Sequence, residues 1–334
     1  MSKNIEYKSV LSPFISEFIA LKEAAGINTR LNKSILLEFD AFFVANNIAE
    51  PMISRTLVEQ WRKTRVNDSD GTLHNKYSVW SQLARFMSRR GYECYIPKMP
   101  YYALSSKQGF SPYVFTHEQI ASILNKSSEL RLAKRNTSFT MFCIPAILRL
   151  LYSTGLRISE ALSIRNSDVK MNKGYIHIRK TKNKSERIVP INEDLMAVFK
   201  QYVFYRDKMP IKAIVASDNH FFIKPDGAPC KPQAVYVWFR RLLRDCNIPF
   251  TGGQKGPRLH DIRHTMAVHS MESMMRNGMD LYASMPIISA CLGHKSLSAT
   301  EQYVRLTREM YPELTEQCSA IVAFVYPKYK TQIK

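Results

Sequence analysis

The chain has 334 residues, a length that predicts about two domains. Its 48 lysines and arginines against 28 acidic residues give a net charge of +20, which favours a polyanionic partner, nucleic acid before an anionic membrane surface. No apolar run reaches the roughly 20 residues of a membrane span, the N-terminus lacks a signal peptide, and the six cysteines form no CxxC pair, so we expect a cytoplasmic protein with free thiols.

Residues 8 to 91 predict a module of four helices. Apolar residues recur there at helical spacing, and the last segment stops at Gly91. Three arginines crowd that last helix: Arg85, Arg89 and Arg90. They either form a solvated face or contact phosphates.

A proline-rich and serine-rich stretch then predicts a linker, which we place at 106–115. The first domain is accordingly 1–105 and the second is 116–334, with a C-terminal tail at 307–334. Thr116 and Gln119 have the spacing of a helix-capping box, so a helix is expected to begin there.

The second domain continues with a long apolar helix, FCIPAILRLLYS, and then with two short β-branched segments. These segments, YIHIRK and ERIVPI, are joined by TKNKS and predict a β-hairpin. The turn carries three alternating lysines: Lys180, Lys182 and Lys184. Such a run is usually a solvated turn, although a lysine at a hairpin tip can reach a DNA groove.

An arginine in STGLRISEAL is the first candidate functional residue. Gly155 is expected to end the preceding helix, which places Arg157 at the next helix start, beside free backbone N–H groups. A guanidinium at a helix start makes a good anion site, but an arginine after a turn is more often an ordinary surface residue.

The segment LHDIRHT follows later in the chain. His260 and Arg263 stand three residues apart and would share a helical face. HDIRH also imitates the HExxH zinc motif, but aspartate replaces its glutamate and no third ligand follows at a usual spacing. His264 and His269 can equally be ordinary polar residues of a helix.

CLGHKSLSATEQYV predicts a helix end, a turn at Gly293 and His294, and a new helix. Tyr303 stands nine residues after His294, on that new helix or just past it. It is either a buried tyrosine or a nucleophile. The chain has no P-loop, paired carboxylates or Ser-His-Asp arrangement, so we expect neither an ATP-driven nor a metal mechanism and no cofactor.

Taken together, TGLRISEAL, TKNKSERIVPI, LHDIRHT and LGHKSLSATEQY resemble the tyrosine recombinase (phage integrase) family. The resemblance implies a mainly α fold with a small β-hairpin: a helical core-binding domain followed by an α+β catalytic domain. It also implies a simple two-domain member, because the first predicted helix leaves no room for an arm-binding domain before it.

The resemblance implies a site-specific recombinase that cleaves and rejoins DNA through a 3′-phosphotyrosyl intermediate. Its expected partners are double-stranded DNA and other copies of itself, as a tetramer on two DNA sites, in the cytoplasm at the nucleoid. The catalytic residues it implies are Arg157, Lys182, His260, Arg263, His294 and Tyr303.

Within that set, the two arginines would clamp the scissile phosphate and Tyr303 would attack it. Lys182 would protonate the leaving 5′ oxygen, with Lys184 as the rival for this role, because the turn departs from the family's usual pattern. His260 would assist proton transfer and His294 would bond the phosphate. Arg85, Arg89, Arg90, Lys180 and Lys184 are further candidate DNA contacts.

Three other functions remain open at this stage. A type IB topoisomerase would share the Arg-Lys-Arg-His-Tyr chemistry and relax DNA without site preference. A DNA-binding regulator could keep the fold without catalysis. A zinc hydrolase rests on HDIRH alone.

Overall fold

The computed structural model describes residues 6–100, 112–130, 140–179, 186–251 and 256–313. The chain divides into two compact units, Met1–Gly109 and Phe110–Lys334. Helices dominate both units and a single small sheet occurs in the described ranges, so the predicted mainly α fold with a β-hairpin is confirmed. The linker predicted at 106–115 lies mostly outside those ranges. Within them, none of the helices is long and apolar enough to cross a membrane.

The described part of the first unit contains four helices: α1 at Ser12–Ala24, α2 at Arg30–Ala45, α3 at Arg55–Lys63 and α4 at Asp70–Ser88. Serine hydroxyls begin two of them, because Ser54 and Ser69 accept hydrogen bonds from backbone N–H groups of the first turns of α3 and α4. The core is aromatic. Phe39 packs 4.2 Å from Trp80 and 5.0 Å from Trp61 between ring centroids.

The first unit also contains a buried carboxylate, Asp40, which ties the start of the chain to α2. It accepts hydrogen bonds from the backbone N–H groups of Lys8 and Ser9, both at 2.8 Å, and from the Ser9 hydroxyl at 2.6 Å. These bonds compensate for the loss of hydration of a side chain that is only 3% exposed.

The second unit contains eight α-helices in its described part: α5 at His117–Ser128, α6 at Ile144–Thr154, α7 at Ile158–Ser163, α8 at Glu193–Arg206, α9 at Pro232–Asp245, α10 at Asp261–Arg276, α11 at Leu281–Leu292 and α12 at Ser298–Met310. The predicted capping box at the start of α5 is confirmed. Thr116 Oγ1 accepts a hydrogen bond from the Gln119 N–H, and Gln119 Oε1 accepts one from the Thr116 N–H.

The sheet of the second unit has three antiparallel strands in the order β1-β2-β3. They are β1 at Val169–Lys170, β2 at Tyr175–Ile178 and β3 at Arg187–Pro190. β2 and β3 form the predicted hairpin, with Ile176 opposite Val189. The sequence did not indicate β1, because two residues are too short to show an alternating pattern.

Three helices at the end of the second unit create the frame of the site. α10 packs against α6, α11 and α12, and α11 packs against α12. Their shared core is rich in methionine, with Met266, Met271 and Met275 on α10 and Leu292 at the end of α11. Unbranched methionines can fill irregular gaps between packed helices.

Candidate active site

Arg263 is buried at the start of α10 and is held by two backbone carbonyls from other parts of the chain. Its guanidinium donates to Gly155 O at 2.5 Å and to Leu292 O at 2.8 Å. These carbonyls close the C-terminal ends of α6 and α11, where free carbonyls attract a cation. The arginine therefore joins three helices at one point.

Gly155 is required at this junction for two reasons. Its φ of +60° lies in the left-handed region, where side chains are strained, and the prediction that it ends α6 is confirmed. A Cβ at this position would lie 2.0 Å from Met266 Cε and 2.8 Å from Leu292 Cδ2. Glycine thus allows α6 to approach α10 and α11 closely.

Arg157 is the N-cap residue of α7, as predicted, and is bound to a buried carboxylate. Its guanidinium donates to Glu160 at 2.9 Å, and its backbone N–H donates to the same carboxylate at 3.1 Å. Arg187 on β3 donates to Glu160 from the other side at 2.8 Å and to Cys291 O at 3.2 Å. Glu160 therefore holds two guanidiniums together.

The charge state of Glu160 follows from these contacts. Its burial opposes ionisation, but the hydrogen bonds and charges of Arg187 and Arg157 outweigh burial and keep the pKa of the carboxyl below its ordinary value. The carboxylate is 1% exposed, so it acts as an internal counter-ion for the arginines and not as a surface group.

The predicted turn between two helices at Gly293 and His294 is confirmed. α11 ends at Leu292, Gly293 adopts a φ of +65°, and α12 begins at Ser298. A Cβ on Gly293 would lie 2.9 Å from Arg187 Nη1. The His294 imidazole is fixed by a 2.8 Å hydrogen bond between its Nδ1 and the hydroxyl of Thr300.

Tyr303 lies on α12 with its side chain 1% exposed. Its hydroxyl forms a 3.0 Å hydrogen bond with Nδ1 of His264, and its ring stacks on His294 at 6.2 Å between centroids. Burial raises the pKa of Tyr303, although the Arg263 guanidinium lowers it in part. The phenol is therefore protonated at neutral pH.

Three histidines around this tyrosine are held neutral. Burial, together with the positive charge of the arginines, lowers the pKa of His264 to about 3 and that of His294 to about 4. His260 is open to solvent, yet the protein atoms that crowd its imidazole and the charge of Arg263 lower its pKa as well. Among the described residues of the site, the positive charges at neutral pH are therefore those of the arginines.

The structure brings five of the six predicted catalytic residues into the same part of the second unit: Arg157, His260, Arg263, His294 and Tyr303. The sixth, Lys182, lies outside the described residues, as do Lys180 and Lys184. In the described ranges, no cluster of three or more His, Cys, Asp or Glu side chains could hold a metal ion.

The arginines of the helical module are in the first unit. Arg85 and Arg89 are exposed at the end of α4. Arg90 forms an ion pair with Glu17, and its guanidinium lies 3.7 Å from the centroid of the Phe86 ring. Arg90 is consequently engaged inside its own unit.

Three site residues were not singled out from the sequence: Glu160, Arg187 and His264. Glu160 stands three residues after Arg157, and this spacing could have indicated a capping carboxylate. Arg187 reads as a strand residue in ERIVPI, so only the folded structure connects it to the site. His264 belongs to HDIRH, and the sequence presents it as a residue of a zinc-like motif or an ordinary polar residue of a helix.

The chain is similar to known proteins in both sequence and fold. Residues 113–310 match the phage integrase family. The chain is 33% identical over 207 residues to the tyrosine recombinase XerC of Chlamydia caviae, which is 62% of this chain and 58% of that protein. It is 27% identical over 299 residues to XerC of Thermodesulfovibrio yellowstonii, covering 89% of this chain and 91% of that protein.

A solved structure shares the fold. The XerH site-specific recombinase, bound to a difH substrate in a pre-cleavage complex, aligns with a TM-score of 0.62 and 18% identity. The alignment covers 90% of this chain and 83% of that one.

The fold and the matches define an enzyme of the tyrosine recombinase class, which cleaves and rejoins DNA strands at specific sites. The chain belongs to the phage integrase family.

Proposed function

We propose that Tyr303 is the nucleophile of this recombinase and forms a 3′-phosphotyrosyl bond with a cleaved DNA strand. The observation that supports the proposal is that residues of three separate sequence motifs, TGLRISEAL, LHDIRHT and LGHKSLSATEQY, converge on one buried hydroxyl. The Tyr303 hydroxyl is hydrogen-bonded to His264, and its ring stacks on His294 in the turn after α11. The positive charges of Arg263 and Arg157 act to lower its pKa.

Arg157 and Arg263 would bind the non-bridging oxygens of the scissile phosphate. Their positive charge neutralises the anion and matches the charge that builds up in the transition state. Their fixed hydrogen bonds to Glu160, Gly155 and Leu292 support this role, because guanidiniums that are already oriented need no reorganisation when the phosphate arrives.

His260 and His294 would act as neutral groups beside the phosphate, His260 in proton transfer and His294 as a hydrogen-bond donor. Lys182 would protonate the 5′ oxygen as it leaves, with Lys184 as the alternative. Tyr303 is 1% exposed, so the side of its hydroxyl that faces the phosphate has to be uncovered when DNA binds.

The partners we propose are double-stranded DNA and further copies of the chain, as a tetramer on two DNA sites, at the nucleoid. The net charge of +20 supports a DNA partner. We also propose 1–105 as the core-binding domain, in which Arg85 and Arg89 contact DNA, and 116–334 as the catalytic domain.

Tyr303→Phe tests the central assignment. The DNA probe is a nicked suicide duplex derived from the site that the wild-type protein selects from a random-sequence pool. The variant should bind this duplex normally and form no covalent adduct. Tyr282→Phe is the matched control, because Tyr282 is an exposed tyrosine on neighbouring α11 and should keep adduct formation. An adduct at the wild-type rate from Tyr303→Phe would refute the assignment.

A further inference from the structure

His264 contacts the hydroxyl that we propose as the nucleophile. It follows Arg263 on α10, and its Nδ1 lies 3.0 Å from the oxygen of Tyr303. Both side chains are buried, with relative exposures of 8% and 1%. His260, to which proton transfer was assigned above, is one helical turn away, with its ring centroid 5.0 Å from that of His264.

The chemistry of the attack requires a proton acceptor at this position. A phenol must lose its proton as its oxygen bonds to phosphorus, and a buried phenol has no bulk water to receive it. A general base has to lie within hydrogen-bond distance of the proton that it removes, roughly 2.6–3.2 Å. The His264 imidazole meets this requirement.

We propose that His264 is the general base of strand cleavage and takes the proton of Tyr303 on Nδ1, in the tautomer that carries its hydrogen on Nε2. The Tyr303 O–H bond breaks as the bond from its oxygen to phosphorus forms and the bond from phosphorus to the 5′ oxygen breaks. The 5′ oxygen leaves with the electron pair of that bond and takes a proton from the leaving-group acid proposed above. In rejoining, a 5′-hydroxyl gives this proton back to the same group as it attacks phosphorus, and the protonated His264 returns its proton to the departing Tyr303 oxygen. This inference rests on the proposed role of Tyr303.

The surroundings of His264 connect its basicity to the presence of DNA. Burial lowers the pKa of this imidazole, and so do the charged or polar groups that face it: His260, Arg258 and Arg263 at the start of α10, and His294 beyond α11. A bound phosphate places a negative charge among these groups and offsets the arginines. The imidazole thus becomes a stronger base when the substrate is present.

A second pair in the same helix supplies a matched control. His269, also on α10, has its Nδ1 2.9 Å from the hydroxyl of Tyr152. The chemical groups are the same and both histidines are buried, but Tyr152 is only half-buried and lies on α6, and in the described structure the pair is not hydrogen-bonded to a proposed catalytic residue. His269→Asn therefore reports the structural cost of losing such a histidine.

The decisive variant is His264→Asn in the full chain. An asparagine places an amide oxygen near the position of Nδ1, so it can accept the hydrogen bond of Tyr303 but cannot accept the proton. Adduct formation on the suicide duplex should fall by about 10²-fold or more, the range of general base catalysis. DNA binding should be unchanged, and His269→Asn should keep a rate near wild type. His264→Gln replaces His264→Asn if the latter melts below the assay temperature.

Two chemical rescues separate a proton acceptor from a residue that only positions Tyr303. Replacing Tyr303 by a difluorotyrosine, whose phenol is more acidic, should restore much of the rate of His264→Asn. A duplex with sulfur at the leaving 5′ position should not restore the rate, because the variant is defective in activating the nucleophile and not in protonating the leaving group. Failure of the difluorotyrosine rescue in a folded, DNA-binding variant would overturn the proposal.

The site of the wild-type adduct distinguishes this inference from the proposed function. Mass spectrometry of the adduct should locate it on Tyr303. An adduct on another residue would refute the proposed nucleophile before the variants are compared. An adduct on Tyr303, together with a wild-type or faster rate for His264→Asn, would refute only the role of His264.

Discussion

Glu160→Gln tests the idea that one buried carboxylate holds Arg157 and Arg187 in the site. The substitution keeps the volume of the side chain, so no cavity forms, but it removes the negative charge between Arg157 and Arg187. Removing one partner of a buried ion pair typically costs about 3–5 kcal/mol. Because the arginine side chains are 24% and 12% exposed and water reaches them in part, we expect the lower end of that range, about 3 kcal/mol.

The assay is thermal unfolding of the full chain, and the measured quantity is the Tm of the transition in which the second unit unfolds. For a unit of this size, 1 kcal/mol corresponds to a shift of about 2–4 °C, so Tm should fall by about 6–12 °C. The matched control is Glu129→Ala, which removes an exposed ion pair with Lys126 in the same unit and should cost less than about 1 kcal/mol. A double-mutant cycle with Arg187→Gln should give a coupling energy of about 1–3 kcal/mol.

The pH dependence of the same variant gives an independent check. The folded-state pKa of Glu160 lies below its ordinary value of 4.5. The charge on Glu160 therefore adds stability above that value, and this stability is lost as pH falls through the folded pKa. The Tm difference between wild type and Glu160→Gln should have its maximum value at pH 7 and become smaller below about pH 4.5. Equal melting of the two proteins at pH 7, or a coupling energy near zero, would refute the reasoning.

Three further predictions concern the same unit and its substrate. In thermal unfolding, Gly155→Ala should destabilise the second unit by about 1–3 kcal/mol more than Gly174→Ala. Both glycines have positive φ, but only at Gly155 would an added Cβ collide with neighbouring side chains. Equal losses of stability would contradict this. Lys182→Ala should slow cleavage strongly, and a duplex with sulfur at the leaving 5′ position should restore the rate; rescue of Lys184→Ala instead would transfer the role to Lys184. DNA affinity should fall by roughly 10³-fold or more between 50 and 200 mM salt in a gel-shift titration, as counterion release requires; a flat response would contradict extensive phosphate contact.

Local signals in the sequence were enough for the elements that carry the site. Three of these elements depend only on residues within about one helical turn of each other, which the sequence displays directly. They are the left-handed glycine at 155, the capping box at Thr116 and the turn at Gly293. The hairpin follows from β-branched segments on both sides of a polar turn. Arg157 at a helix start and Tyr303 on the final described helix were predictable for the same reason.

Long-range contacts of the site could not be predicted in this way. Arg187 meets Glu160 across 27 residues, and His264 meets Tyr303 across 39. Such pairs depend on which helix faces another after packing, and helical periodicity does not specify the partner. His264 and His269 illustrate the limit, because both are buried histidines on α10 that bond a tyrosine, and only the fold determines which tyrosine each one meets.

The two interpretations of Tyr303, a buried tyrosine and a nucleophile, make different predictions when it is compared with Tyr202. Tyr202 is 5% exposed, donates to Phe221 O at 3.1 Å and accepts from the Ile223 N–H at 3.2 Å. Those two partners are backbone groups that cannot change protonation, and burial raises the pKa of a third, the Cys143 thiol at 3.6 Å. The partner of Tyr303, in contrast, is an imidazole that can take up a proton. Tyr202→Phe should therefore cost about 1–3 kcal/mol in thermal unfolding, because it leaves a buried N–H unpaired, and should keep adduct formation in whatever fraction is folded. Tyr303→Phe should stay folded and lose the adduct entirely. If both variants lost stability alike and both formed adduct, Tyr303 would be only a packing residue, and the hydroxyl that attacks DNA would have to be sought elsewhere in the chain.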